Sequence, residues 1–197
     1  MDAGVLYSGG KDSTLAACLI DEFTTVTLCC CTFGITDEYR HAMEAGEMLG
    51  FPVERVDLER TVAVDAIQQM IADGYPRTGI QQVHEHALER VADGEFDAVA
   101  DGTRRDDRVP TVDRPLAQSI EDRFGVFHLA PLAGFGRGAI DRLVAERFVV
   151  ETGPSEAIRK GDYEGELRTL LRREYDEDTV ATIFPPHTQS RVTSRKE

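Results

Sequence analysis

The chain carries Tyr7-Ser8-Gly9-Gly10-Lys11-Asp12-Ser13-Thr14 between a short apolar run, Gly4-Val5-Leu6-Tyr7, and a segment with apolar residues at Leu15, Ala16, Leu19 and Ile20. An apolar run, a glycine pair and helical periodicity in that order predict a strand, a tight turn and the first turn of a helix. Strand-to-helix succession of this kind belongs to an α/β sheet. It also prepares a place for an anion. The first N–H groups of a helix lack intrahelical partners, and the positive end of the helix dipole points the same way. Adjacent glycines let the backbone approach a phosphate without a Cβ in between. Lys11 adds a mobile positive charge, Ser8 and Ser13 add hydroxyl donors, and Asp12 offers a carboxylate to magnesium. Two commoner phosphate loops do not fit, because Gly9 is followed by Gly10 rather than a spaced Gly-Lys, and no Gly-x-Gly-x-x-Gly occurs here.

Apolar runs and helical patterns alternate along the rest of the chain. Strands are predicted over 5–7, 25–33, 53–58, 97–100 and 126–129. Helices are predicted over 12–23, 37–49, 61–72, 80–92, 113–124 and 139–147, with Gly50 and the Asp73-Gly74-Tyr75-Pro76 turn as punctuation. The expected fold is an open, mostly parallel five-stranded sheet with helices on both faces. Ligands in such sheets bind beyond the carboxyl ends of the strands. The Gly9-Gly10 turn lies at one such end, and Asp101-Gly102-Thr103 lies at another. Residues 1–150 are expected to form the ligand-binding domain. Residues 151–197 are expected to be an appendage rather than an independent domain, helical over 154–173 and then irregular and basic from Phe184 to Lys196.

With 197 residues the chain has room for one sizeable core. It has no apolar run long enough to span a membrane, and its first strand begins almost at once, so a cytoplasmic protein is expected. Its formal net charge is −14, and only Lys11, Lys160 and Lys196 are lysines. An acidic, arginine-rich, lysine-poor composition is similar to that of proteins adapted to a high-salt cytoplasm, as in halophilic archaea. There the surface charge serves solubility and salt screens nucleic-acid steering. An ordinary acidic protein remains the alternative. Cys18, Cys29, Cys30 and Cys31 do not form a disulfide framework.

Ser8-Gly9-Gly10-Lys11-Asp12-Ser13 resembles the PP-loop of the N-type ATP pyrophosphatases, an adenine nucleotide alpha-hydrolase-like family. A second segment, Asp101-Gly102-Thr103-Arg104-Arg105-Asp106-Asp107, is similar to the Asp-Gly-Thr-x-x-Asp-Asp that sulfur-transferring members place beside the ATP phosphates. The resemblance covers roughly residues 4–150. It implies ATP and Mg2+ as cofactors. ATP would be held by Ser8, Gly9, Gly10, Lys11, Asp12, Ser13, Gly102 and Thr103. Magnesium would take Asp12, Asp106 and Asp107. Lys11, Asp12 and Asp107 would carry the chemistry. The family topology also implies that Thr32 and Phe33, just after the second strand, hold adenine; Phe33 as plain core is the alternative.

Other positions leave two readings open. Arg104, Arg105 and Arg108 suit bidentate phosphate or substrate contacts, or salt bridges on the surface. Arg137 stands in a lysine-like place after Pro131-Leu132, or simply follows the Gly134-Phe135-Gly136 turn that caps a helix. In a strand Cys29 and Cys31 share one face and Cys30 the other, so the three cannot converge on one metal. They read as buried small hydrophobes, with Cys31 the one to test as a thiol nucleophile. His84 and His86 stand at i and i+2 on a helix and read as surface or packing residues. The tail Pro185-Pro186-His187-Thr188-Gln189-Ser190-Arg191, with Arg159-Lys160-Gly161-Asp162-Tyr163, either closes over the site or serves docking.

The implied activity is adenylation. A substrate oxygen attacks the α-phosphorus of ATP, pyrophosphate leaves, and a sulfur or nitrogen nucleophile then displaces AMP. Sulfur transfer in tRNA thiolation is the leading expectation. An amide-forming, nitrogen-transferring ligase and a non-catalytic nucleotide-binding subunit are the alternatives. Expected partners are tRNA or a sulfur-donor protein, with no membrane, and a homodimer is left open.

Overall fold

The structure, a computed structural model, describes residues 1–196. Five strands build the main sheet: β1 (Asp2–Leu6), β2 (Thr25–Thr32), β3 (Val53–Asp57), β4 (Ala98–Ala100) and β5 (Phe127–Leu129). Every pairing in it is parallel, and the order is β3-β2-β1-β4-β5. The expected open α/β sheet is therefore present. The chain winds outward one way through β2 and β3. It then crosses back to place β4 and β5 on the other side of β1.

Strand alternation sends residues to two separate cores. On one face Val5, Tyr7, Leu28 and Cys30 pack with Leu15 and Ile20 of α1 (Lys11–Ile20), Ala42 of α2 (Tyr39–Met48) and Ile140 and Val144 of α6 (Arg137–Arg147). On the other, Leu6, Cys29 and Cys31 meet Ile67 and Met70 of α3 (Arg60–Asp73) and Val83 and Leu88 of α4 (Arg77–Ala92). Ile120 of α5 (Arg114–Phe124) and Leu167 and Leu171 of α7 (Tyr163–Glu174) complete that core. The split of the three cysteines between the faces follows the strand period. The inner strands β1, β2 and β4 are covered on both sides, whereas the edge strands β3 and β5 keep exposed residues.

The carboxyl-terminal region departs from expectation. Residues 154–162 do not extend a helix. Asp162 instead accepts the Gly165 N–H and caps a helix that starts at Tyr163. A short α8 (Glu177–Ile183) follows. The segment expected to be irregular contains β7 (Thr188–Arg195), antiparallel to β6 (Phe148–Pro154). Neither strand announces itself. β6 follows α6 with no breaker, and β7 (Thr-Gln-Ser-Arg-Val-Thr-Ser-Arg) has one apolar residue. The ribbon is stabilised by burying Phe148 and Val192 against the α1 side of the sheet.

Helices α3 and α4 approach most closely at Gly79, where a Cβ would lie 2.6 Å from the Ala66 carbonyl oxygen and 2.6 Å from Met70 Cε. Alanine normally favours a helix interior over glycine by up to about 1 kcal/mol. Here the clash with backbone outweighs that gain. Gly79→Ala is expected to destabilise the fold by roughly 1–3 kcal/mol, read as a melting temperature lower by several degrees. An unchanged or raised melting temperature would show that the helices are free to separate.

Candidate functional site

The order β3-β2-β1-β4-β5 places its reversal between β1 and β4, and open α/β sheets bind ligands at such a switch point. The turns after these two strands are Ser8-Gly9-Gly10 and Asp101-Gly102-Thr103. They touch. A Cβ on Gly102 would stand 2.7 Å from the Ser13 backbone nitrogen and 3.0 Å from Ser13 Cα. Only glycine allows the second turn to lie against the start of α1.

Gly9 has φ of 77°, in the left-handed region, and would bring a Cβ to 3.4 Å from Ala42 Cα. The turn is braced from within. Ser13 Oγ donates to the Gly10 carbonyl at 3.2 Å and lies 3.4 Å from Ser8 Oγ, which accepts the Gly10 N–H at 3.3 Å. Gly10 is the N-cap of α1 and supplies no side chain to the orphan N–H groups. The carboxylates of Asp113, Asp162 and Asp176 cap α5, α7 and α8, whereas α1, like α2, α3, α4 and α6, has no side-chain cap. The first N–H groups of α1 therefore have no side-chain partner from their cap.

A cavity of about 470 Å3 opens beside this turn, a volume that suits a nucleotide-sized ligand. Of the expected residues, Ser8, Asp12, Ser13, Gly102, Thr103 and Asp107 line it. Asp12 Oδ1 is buried without a hydrogen-bond partner, 3.5 Å from Lys11 Nζ. Another part of the wall comes from the carboxyl-terminal segment, including Lys160, Asp162, Tyr163, Pro185, His187 and Gln189. Backbone bonds tie this wall to the glycine turn, since Gly161 N–H donates to the Ser8 carbonyl at 3.1 Å and Val192 N–H to the Gly9 carbonyl at 3.0 Å.

Several expected residues lie elsewhere. Lys11 reaches away from the cavity to Asp141 of α6 at 2.6 Å, and lines a neighbouring hollow with Arg137. Arg137 is largely exposed and pairs with Asp141 at 3.8 Å. Asp106 and Asp107, expected as magnesium ligands, are held by different partners. Both Asp107 oxygens are engaged by Arg104, through its backbone N–H at 2.7 Å and its guanidinium. Asp106 turns outward and accepts the Arg137 N–H at 2.9 Å, which holds it below the usual carboxylate range. Arg104 also stands 3.8 Å from Asp12, whereas Arg105 folds over Gly134 and Gly136. Among the described residues, no group of three or more His, Cys, Asp or Glu side chains is placed to hold a metal. Asp12 is the expected magnesium ligand whose geometry still fits, since magnesium is commonly held by one carboxylate together with substrate phosphates.

Thr32 and Phe33 are not brought to the cavity either. The Phe33 N–H, expected to face adenine, donates to Glu166 Oε2 at 2.8 Å. Glu166 Oε1 accepts the Thr32 hydroxyl and the Ile35 N–H, both at 2.9 Å, and the Thr36 N–H at 3.3 Å. This one buried carboxylate from α7 satisfies the loop that follows β2.

Sequence reasoning missed His84. It is 4% exposed and lines the cavity. Its Nδ1 is hydrogen-bonded to Tyr163 Oη, and its Nε2 lies 3.8 Å from Asp101 Oδ2. The signal was the spacing Ile80, His84, Ala87, Leu88, which puts the imidazole on the buried stripe of α4. His86 does sit outside the cavity, paired with Glu59.

The fold is that of an α/β protein of the doubly wound type, with a glycine turn at the start of α1 and a cavity at the switch point of its sheet. The chain belongs to the family of unknown function DUF7411, whose model matches residues 1–194. It is 37% identical to the uncharacterized protein MJ0690 of Methanocaldococcus jannaschii over 198 aligned positions, covering 100% of this chain and 98% of the relative. A crystal structure from Methanocaldococcus jannaschii, described as a predicted subunit of tRNA methyltransferase, is similar at a TM-score of 0.90 and 37% identity. That match covers 100% of this chain and 98% of the other. No helix among the described residues is long and apolar enough to cross a membrane.

Two predictions concern the cysteines and His187. Burial raises the thiols of Cys29 and Cys31 well above their ordinary value and pushes Cys30 up to about 12. Timed iodoacetamide labelling should therefore modify the partly exposed Cys18 first and the three strand cysteines slowly. Rapid labelling of Cys31 alone, blocked by ATP, would make it a reactive thiol. The second concerns His187, whose imidazole is raised by its hydrogen bond to Glu164 at 3.3 Å. A raised imidazole stabilises the fold fully below its unfolded value of about 6.5, and that contribution is lost as pH rises through the folded value. The melting-temperature advantage of the wild type over His187→Gln should shrink from pH about 6 to about 8. A constant difference would mean that the pair is uncharged or broken in solution.

Proposed function

We propose that this protein is an ATP-binding enzyme of the PP-loop type, which adenylates a substrate oxygen and releases pyrophosphate in the service of sulfur transfer to tRNA. The observation that carries this reading is the contact of Gly102 with Ser13 at the uncapped start of α1, beside a cleft of nucleotide size. The α1 N–H groups and the Ser8 and Ser13 hydroxyls would receive the departing phosphates. Lys11 stands one residue into that turn, and its long stem lets it swing from Asp141 to a phosphate. Magnesium, when bound, would neutralise phosphate charge, with Asp12 as its protein ligand. Catalysis of this kind is mostly positioning and charge stabilisation.

The tRNA part of the reading is supported by the relative described as a predicted subunit of tRNA methyltransferase. A subunit role like that described for this relative is a second reading: a nucleotide-binding component of a tRNA-modifying assembly that does not itself turn over ATP. Nitrogen in place of sulfur as nucleophile would leave the adenylation step unchanged. An assay separating pyrophosphate, AMP and ADP, with unfractionated tRNA as acceptor, distinguishes the readings. Pyrophosphate with AMP supports adenylation. ATP binding without turnover supports the subunit role.

Calorimetry with Mg·ATP tests the site itself. Lys11→Ala should weaken binding about ten-fold or more, since a charge-assisted contact is worth roughly 1.5–3 kcal/mol. Asp141→Asn should tighten binding by up to about five-fold, because it removes a competitor whose exposed ion pair contributes roughly 0–1 kcal/mol. Unchanged affinity in Lys11→Ala would overturn the assignment of the turn.

A further inference from the structure

At the floor of the cleft lies a polar chain that the proposed ATP chemistry leaves unused. Asp101 closes β4 and is 1% exposed. Its Oδ1 accepts the Thr103 N–H at 2.6 Å, and its Oδ2 accepts from His128 Nε2 at 3.4 Å. His84 Nε2 stands 3.8 Å from the same Oδ2, buried and without a hydrogen-bond partner. On its other side, His84 Nδ1 is bonded to the hydroxyl of Tyr163, the first residue of α7. His84, Asp101 and Tyr163 all line the cavity that holds Asp12 and Gly102.

Burial would raise Asp101, but the His128 hydrogen bond, the Thr103 N–H and the nearby His84 imidazole outweigh it and hold the carboxyl well below its usual range. The carboxylate is therefore ionised and favours the proton on the facing nitrogen, His84 Nε2. That leaves Nδ1 as an acceptor. Burial, with Cys31, Asp101 and Asp162 nearby, raises the Tyr163 phenol well above its ordinary range, so it stays protonated and donates. The order Tyr163 hydroxyl, His84 imidazole, Asp101 carboxylate gives an acid, a base and an orienting anion in series, the arrangement that activates a nucleophile in many unrelated enzymes.

We propose that Tyr163 and His84 are catalytic residues that take the proton from the nucleophile displacing AMP, with Asp101 as their positioning residue. The proposal rests on the ATP-activating reading above. In the second step the nucleophile forms a bond to the adenylated carbon, and the carbon–oxygen bond to AMP breaks with its electron pair leaving on AMP. The proton of the nucleophile passes to Tyr163 Oη as the Tyr163 proton passes to His84 Nδ1. A hydrosulfide and an amine both release such a proton, so the relay serves either class. The imidazolium formed is stabilised by Asp101. No oxidant or reductant enters. The groups facing this relay from its neighbours are Cys31 on β2, Asp101 and His128 at the β4 and β5 ends, and Asp162 at the start of α7.

The test uses the full chain, Mg·ATP labelled at the α-phosphate, and unfractionated tRNA from cells lacking the gene. Sodium sulfide or ammonium chloride serves as nucleophile. Pyrophosphate and AMP are followed separately by rapid quench. His84→Ala and Tyr163→Phe should bind ATP like the wild type and form pyrophosphate in the first turnover, yet release AMP about a hundred-fold more slowly. Added imidazole should restore His84→Ala and not Tyr163→Phe, a rescue that a merely structural role would not give. His86→Ala, on the same helix but outside the cleft, should match the wild type. Should His84→Ala fail to fold, Tyr163→Phe keeps the ring and carries the test. If both variants release AMP at the wild-type rate, or folded His84→Ala is slow but not rescued, the relay is overturned while the ATP reading stands. If the wild type yields no pyrophosphate with either nucleophile, the adenylating reading falls and the relay with it.

Discussion

The cleft depends on one close contact, the seating of Gly102 against the backbone of Ser13. It brings the turn after β4 onto the first turn of α1 and joins the two strands that flank the switch point of the sheet. Any side chain at 102 would overlap the Ser13 nitrogen. A side-chain cap at position 10 would engage the first N–H groups of α1, which Gly10 does not. From this junction the site extends two ways. Asp101, one residue earlier, is forced into the interior and must find partners in His128, His84 and the Thr103 N–H. Thr103 and Asp107, just after it, line the opening.

The carboxyl-terminal segment does more than decorate the sheet. It closes one wall of the cleft with residues 160–164 and with Pro185, His187 and Gln189. It also hydrogen-bonds the glycine turn at Ser8 and Gly9 and anchors the loop after β2 through Glu166. Burying a carboxylate is costly unless its oxygens are satisfied, and Glu166 has four donors. That satisfaction ties α7 to β2 and fixes Tyr163, at the head of the same helix, over His84. Arg168, a residue further along α7, bonds Glu164 and lies over the Phe184 ring. The wall is thus tied down by charge pairs as well as by the apolar contacts of Leu167, Leu170 and Leu171.

Much of the sheet was legible because its signals are local. The apolar runs of β1 and β2, the glycine turn and the helical periodicity of α4 each declare themselves within a window of about ten residues. The two faces of the Cys29-Cys30-Cys31 run follow from the period of a strand alone. The β6–β7 ribbon was not legible, because Thr188–Arg195 is polar and becomes a strand only when Phe148–Pro154 offers it a partner. Within the site, Ser8, Asp12, Ser13, Gly102, Thr103 and Asp107 were placed by motif and do meet at the cleft. Thr32 and Phe33 were placed by topology, and a residue over 130 positions away took their hydrogen bonds.

The sequence by itself determined the parallel α/β sheet and the glycine turn that starts α1, since both rest on backbone geometry that short patterns specify. A glycine pair, a helix start and alternating apolar residues mean the same thing in any chain. The tertiary structure alone decided where charge goes and which side chains share a cavity. Asp141 reaches Lys11 across 130 positions, and Tyr163 reaches His84 across 79. Such pairs are selected by the desolvation of buried polar groups, which must find partners wherever the fold delivers them. No spacing along the chain records that demand.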